Sequence, residues 1–131
     1  MGRVGLMVLD TCAVLWLAFD RERFSEAALE KIERCDTVRI SSLSFWEIGV
    51  KIAKRKLVIP VSVADLASLY LKNPRTDIIA PSVDIIVAAL ALQWPHRDPI
   101  DRIIVATARK FKSPIVSADT IISGFYNETL I

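Results

Sequence analysis

The 131-residue chain is 53% hydrophobic and 24% charged, with 17 Lys and Arg against 15 Asp and Glu, for a formal net charge of +2. That apolar share exceeds the ~45–50% of ordinary globular chains, so disorder is excluded and one well-buried domain spanning residues 1–131 is expected. A polycation binding nucleic acid through a tail is excluded too, although a local basic surface is not.

In chain order, Val4–Leu9 is a short apolar run that ends at an acid, the pattern of a strand buried on both faces. Thr11–Phe19 continues as an apolar helix. Phe24–Arg34 carries Phe24, Ala27, Ala28 and Ile32 at helical spacing, and Thr37–Ile40 is a β-branched strand. A helix opens at Ser42 or Leu43 and runs to about Arg55. In it Ser44 and Glu47 have the spacing of a capping box, and Phe45, Ile48 and Ile52 share a face. After Pro60, Val63–Leu71 is helical; Asn73-Pro74 marks a turn, and Ile78-Ile79 is a short strand. Pro81 precedes a helix to about Leu92, the apolar stretch Ile85–Trp94 reading as buried. Pro95–Pro99 is a loop, Ile100–Phe111 a helix and Pro114–Ser117 a strand. A short helix begins near Asp119, and Thr129–Ile131 is the last strand. Strands alternate with helices, so the class is α/β with a mainly parallel sheet flanked by helices.

Cys12 and Cys35 are too few for a disulfide scaffold and read as buried small hydrophobes in a reducing compartment. His96 is the only histidine, so a structural zinc site cannot be assembled in the usual way, and the sequence offers no convincing triad. Asp10 and Thr11 interrupt the apolar run at the amino end. It is shorter than the ~20 residues of a membrane span, and no cleavage pattern follows it. Leu6 stands where a myristoylation signal needs Ser or Thr. A cytoplasmic protein is expected.

The informative feature is where the acids fall. Asp10 directly follows one apolar strand and Asp119 another, Glu47 lies early on a helix that follows a strand, and Asp101 starts a helix after a proline loop. Ligands of open α/β sheets bind beyond the carboxyl ends of the strands. Carboxylates gathered there repel one another unless a cation sits between them, and hard divalent ions suit oxygen ligands. Each acid alone also has a plainer use. Asp10 and Asp119 can cap helices, Glu47 can pair with Lys51 four residues on, and Asp98 and Asp101 can favour a helix dipole.

At these residues the sequence resembles a known family. VLDTCAVLWL (Val8–Leu17), SFWEIGVK (Ser44–Lys51), HRDPIDRIIVATA (His96–Ala108) and PIVSAD (Pro114–Asp119) look like the four motif blocks of PIN-domain nucleases, in order and with fitting gaps, with the VapC-like toxin branch the best match. The resemblance implies a PIN fold and an acidic quartet, Asp10, Glu47, Asp101 and Asp119, that is catalytic and holds one or two Mg²⁺ or Mn²⁺ ions. Thr11, Asp98 and Ser117 fall beside the quartet as supporting groups, and Ile100 replaces the Phe more usual in the third block, a packing difference.

It further implies an endoribonuclease: metal-activated water attacks an RNA phosphodiester and leaves 5′-phosphate and 3′-hydroxyl ends. Lys51 and Arg102 are the candidates for phosphate contacts, while Arg109, Lys110 and Lys112 read as a solvated face. His96 reads as a loop or substrate contact, and Trp46 as a core side chain before a base-stacking one. The implied partners are an RNA substrate, a second copy in a homodimer and a cognate VapB-like antitoxin. The alternatives are a PIN-fold nuclease without a toxin role, acting in RNA processing or on DNA, and an inactive binding module. A phosphorylated signalling receiver would need an acidic pair where Asp10 is followed by Thr11 and Cys12. A dehalogenase-like phosphatase would need a second Asp at Cys12, and no P-loop motif occurs.

Overall fold

A computed structural model describes residues 5–130. Its sheet has five parallel strands in the order β3-β2-β1-β4-β5: β1 Leu6–Leu9, β2 Thr37–Ser41, β3 Thr76–Ile79, β4 Ile115–Val116 and β5 Thr129–Leu130. The chain lays down β1, β2 and β3 in one direction, then returns to the other side of β1 for β4. The boundary between β1 and β4 is therefore the switch point, the place where such sheets open a ligand crevice.

Strand β1 shows why its sequence is continuously apolar. Successive side chains point to opposite faces, and both faces are covered. Met7 and Leu9 join Val38, Ile40 and Val116 in one core, whereas Val8 joins Ile115 in the other. Helices α1 (Thr11–Phe19), α2 (Glu26–Arg34), α3 (Ser42–Ala53) and α4 (Val63–Leu71) supply the first core through residues such as Val14, Ile32, Ile48 and Leu66. Helices α6 (Pro99–Lys110) and α7 (Thr120–Phe125) supply the second through Ile104, Val105 and Ile122. Helix α5 (Val83–Ala91) packs Ile85 and Ala89 against Ala106 of α6. Among the described residues no helix is long and apolar enough to cross a membrane.

Helices α1 and α4 begin and end where their patterns place them. Helix α2 starts later than expected because Ser25 caps it, accepting from the Ala28 N–H at 3.1 Å. The capping box at Ser44 does not form: Ser41 caps α3, and Ser44 is fully buried one turn inside. Val4 and Ile131, expected at strand ends, lie outside the described residues.

Two burial expectations are corrected. Helix α5 is not a buried helix: Val83, Val87 and Leu90 are 73%, 58% and 75% exposed. Beyond Asp84 in its first turn its sequence is wholly apolar, so periodicity could not tell its packed side from its open one. Cys12 is exposed while Cys35 is buried, its thiol donating to the carbonyls of Gly5 and Thr37.

Candidate functional site

Asp10 immediately follows β1 and begins α1. Its Oδ1 accepts the Ala13 N–H at 2.8 Å, so it is the N-cap of α1. Its Oδ2 accepts a short hydrogen bond from the Ser117 hydroxyl. Capping and ligation are thus not exclusive, because each carboxylate oxygen keeps a second lone pair. Asp10 is almost wholly buried, and burial pushes its carboxyl above the ordinary value against the pull of these hydrogen bonds; the charges of Asp119 and Glu47 push the same way.

The register sets this pair. Leu9 lies beside Val116, so the next residues, Asp10 and Ser117, emerge together at the switch point. Ser117 also accepts the N–H of Asp119 at 3.0 Å. Asp119 in turn caps α7 through Oδ1, which accepts from Ile121 N at 2.8 Å. One buried hydroxyl therefore spaces two acids.

Glu47 faces the same end of the sheet from α3. It is half-buried, and Lys51 stands 4.0 Å away, one turn on. Thr11 donates its hydroxyl to Ser44 at 3.1 Å, fastening the helix that begins at Asp10 to the helix that carries Glu47.

On the far side, the sequence Asp98-Pro99-Ile100-Asp101 is a helix start written in full. Asp98 caps α6, its Oδ1 accepting from the N–H groups of Ile100 at 2.9 Å and Asp101 at 3.3 Å. Pro99 occupies the first helical position, where no N–H is missed, and Asp101 lies in the first turn, where a negative charge is favoured. Asp101 is paired with His96, Nε2 to Oδ2 at 2.7 Å. Burial raises its carboxyl to about 6; the His96 hydrogen bond opposes that rise, and Asp98 and Asp119 add to it.

The charge of Asp119 thus bears on both Asp10 and Asp101, and that of Glu47 on Asp10. The closest set of ligand-type atoms is nevertheless a different one: His96, Asp98 and Asp101 lie within 4.8 Å of one another, and no trio drawn from the four acids is that tight among the described residues. The acids offer hard oxygens, and their neighbours' charges push Asp10 and Asp101 upward, which fits a divalent cation.

The sequence matches the PIN domain family over residues 7–127. The chain belongs to the PIN domain family. It is 28% identical over 113 residues to Ribonuclease VapC22 of Mycobacterium tuberculosis (strain ATCC 25618 / H37Rv), covering 86% of each chain. A toxin-antitoxin complex from Klebsiella pneumoniae contains a similar fold, with a TM-score of 0.63 and 18% identity over 95% of this chain and 96% of that one. VapBC2 from Rickettsia felis, bound to a DNA fragment from its promoter, gives a TM-score of 0.65 and 16% identity over 96% and 97%.

Within this PIN domain, two side chains differ from their expected roles and a third gains a specific partner. The guanidinium of Arg102 is spent on five carbonyls, those of Ala89, Leu90, Leu92, Trp94 and His96, at 2.6–3.4 Å. It closes the carboxyl end of α5 and the loop that follows, so its donors are engaged within the chain and do not stand free for a phosphate as expected. His96 sits in the loop before α6, as expected, and its specific contact is Asp101. Its ring lies 4.8 Å from that of Trp94, which stacks on Phe125 at 4.6 Å. Trp46, expected in the core, is 63% exposed beside Glu47. Spacing reports none of these contacts, since each depends on how a loop folds back onto a helix.

Proposed function

We propose that the protein is a Mg²⁺- or Mn²⁺-dependent endoribonuclease and the toxin of a toxin–antitoxin pair. The observation that carries this reading is the position of Asp119, whose charge bears on both Asp10 and Asp101 at the switch point of the sheet. The ribonuclease relative and the toxin–antitoxin complexes of the same fold support the RNA substrate and the toxin role.

In this reading Asp10, Glu47, Asp101 and Asp119 are the metal ligands, while Ser117, Asp98 and Thr11 fix them. A bound divalent ion supplies Lewis-acid activation of water, which suits hydrolysis to 5′-phosphate and 3′-hydroxyl ends. Lys51, half-exposed and loosely paired with Glu47, is left to meet a substrate phosphate. Trp46 offers an open ring face for a base.

Two surfaces support the partners. An open groove of about 510 Å³, lined by Cys12, Trp16, Lys51, Lys56 and Val58 among others, runs beside the helix that begins at Asp10 and suits an antitoxin segment. Val83, Ile86, Val87 and Leu90, spaced i, i+3, i+4 and i+7, form an exposed apolar stripe on α5 that suits packing against a second copy. The protein would act in the cytoplasm, among its RNA substrates.

The test is cleavage of RNA by wild type and Asp10→Asn, with Mg²⁺ or Mn²⁺ and with chelator, followed by mapping of 5′-phosphate ends. Wild type cleaves only with metal, and the variant does not. Equal cleavage by both proteins overturns the reading.

A further inference from the structure

Asp101 stands at the amino end of α6, where backbone geometry fixes its Cα but not its carboxylate. We infer that His96 is a positioning residue that locks the carboxylate of Asp101 through its Nε2, so that the carboxylate faces the other acids ready to bind a divalent ion. The inference rests on the metal-site reading above.

The geometry is specific. His96 Nε2 lies 2.7 Å from Asp101 Oδ2. An ionised carboxylate only accepts, so the imidazole donates. That bond engages one oxygen and leaves Oδ1 free of it. The imidazole is itself held in two ways. Its ring packs against Trp94, and Trp94 lies nearly parallel to Phe125 of α7, with an interplanar angle of 10°. Its backbone is pinned by Arg102, whose Nη1 donates to the carbonyls of His96 at 2.9 Å and Trp94 at 2.6 Å. Asp101 and Arg102 are adjacent in sequence. The helix that presents the acid therefore also carries the clamp on the loop that orients it.

Such an arrangement has a known consequence. Groups that hydrogen-bond a metal ligand set its orientation, and losing one costs ~10–100-fold in metal affinity. Among the described residues the His96 ring is hydrogen-bonded to Asp101, so its effect on the rim passes through that carboxylate.

The experiment is calorimetric titration of the full chain with Mn²⁺, with no substrate present. The proteins are wild type, His96→Ala, His96→Gln and Asp101→Asn, each also melted without metal. The expected result is a rise of about tenfold in the Mn²⁺ dissociation constant of His96→Ala. His96→Gln, whose amide can still donate to Oδ2, recovers to within about threefold of wild type. In cleavage assays at saturating Mn²⁺, the KM for RNA stays within about twofold. An unchanged Mn²⁺ affinity in His96→Ala overturns the inference, and so does a His96→Gln that binds no better than His96→Ala. If His96→Ala melts early, His96→Gln against wild type decides alone: a loss above tenfold overturns the inference. Asp101→Asn reports on the site itself. If it binds Mn²⁺ as wild type does, the metal-site reading fails, whatever His96 does.

Discussion

The two sides of the acidic rim are held by different means. On the strand side, Asp10 and Asp119 are spaced by backbone N–H groups and one buried hydroxyl, at a position set by the register of β1 with β4. On the α6 side, Asp101 is held by a partly buried imidazole whose loop is tied down by Arg102. The strand side is buried at the end of the sheet, and backbone pairing sets its position. The α6 side is a loop folded onto a helix, and its order depends on a few side-chain bonds. Capping serves both: Asp10, Asp98 and Asp119 are each N-caps, so the residues that start the helices also gather the negative charge.

The largest effects separate charge from shape. Asp10→Asn keeps the cap through its amide oxygen and turns the other position into an NH2 that can only donate to Ser117, while it removes a buried charge that its surroundings disfavour. Its cleavage rate should fall on the order of a thousandfold, about 4 kcal/mol of barrier, while its melting midpoint at pH 7 does not fall. Asp101→Asn should lose as much. Asp98→Asn should lose less than about tenfold, because Asn caps a helix as well as Asp does. Rates in the opposite order for the last two would assign the ligand to Asp98.

Arg102→Lys probes the α6 side through the fold. A lysine has three donors and no fork, so it cannot serve five carbonyls, and those left unpaired lose their bonds. Denaturant unfolding should show a loss of about 2–3 kcal/mol. A variant as stable as wild type would mean that the loop is held by its aromatic stack alone.

The same side carries the pH dependence. Burial raises Asp101 from 3.8 to about 6. The folded state then holds the proton more tightly than the unfolded chain does. The stability owed to this group is complete below about pH 4 and is lost as pH rises through about 6. In metal-free protein at pH 7, Asp101→Asn should be more stable than wild type by on the order of 2 kcal/mol, and the gap should close towards pH 4. A gap that widens on acidification would show that the His96 bond outweighs burial.

Much of this arrangement was legible in the chain, because it is local. The apolar run before Asp10, the Asp-Pro-x-Asp helix start and the acid three residues after β4 each announce themselves within a few residues. The capping use of Asp10, Asp98 and Asp119 leaves their ligand use open, since a cap occupies only part of a carboxylate. What stayed hidden depends on tertiary placement. Arg102 reads as a surface cation beside an acid until the loop after α5 wraps around it. Helix α5 reads as core because nothing in its apolar run after Asp84 says which side is covered. Trp46 precedes Glu47 on a helix with a clear apolar face, yet points away from it. The capping serine of α3 was misplaced by three residues because Ser41, Ser42 and Ser44 all offer a hydroxyl and only Ser41 ends the strand.

The smallest effect tests the strand side at its one side-chain bridge. Ser117 donates to Asp10 and accepts from the backbone of Asp119. Ser117→Ala removes both bonds, yet Asp10 keeps its Ala13 N–H and Asp119 its cap on α7. The strand pairing on either side is backbone and is untouched: Asp10 N still donates to Val116 O, and Ser117 N to Leu130 O. The cost should therefore be about 1 kcal/mol, a drop of about 4 °C in melting midpoint. Activity should fall about tenfold, because the two acids lose the hydroxyl that spaces them. A larger loss of stability would show that the sheet leans on Ser117. An unchanged activity would show that the backbone alone spaces the acids, which would leave the two sides of the rim differing even more than their hydrogen bonds imply.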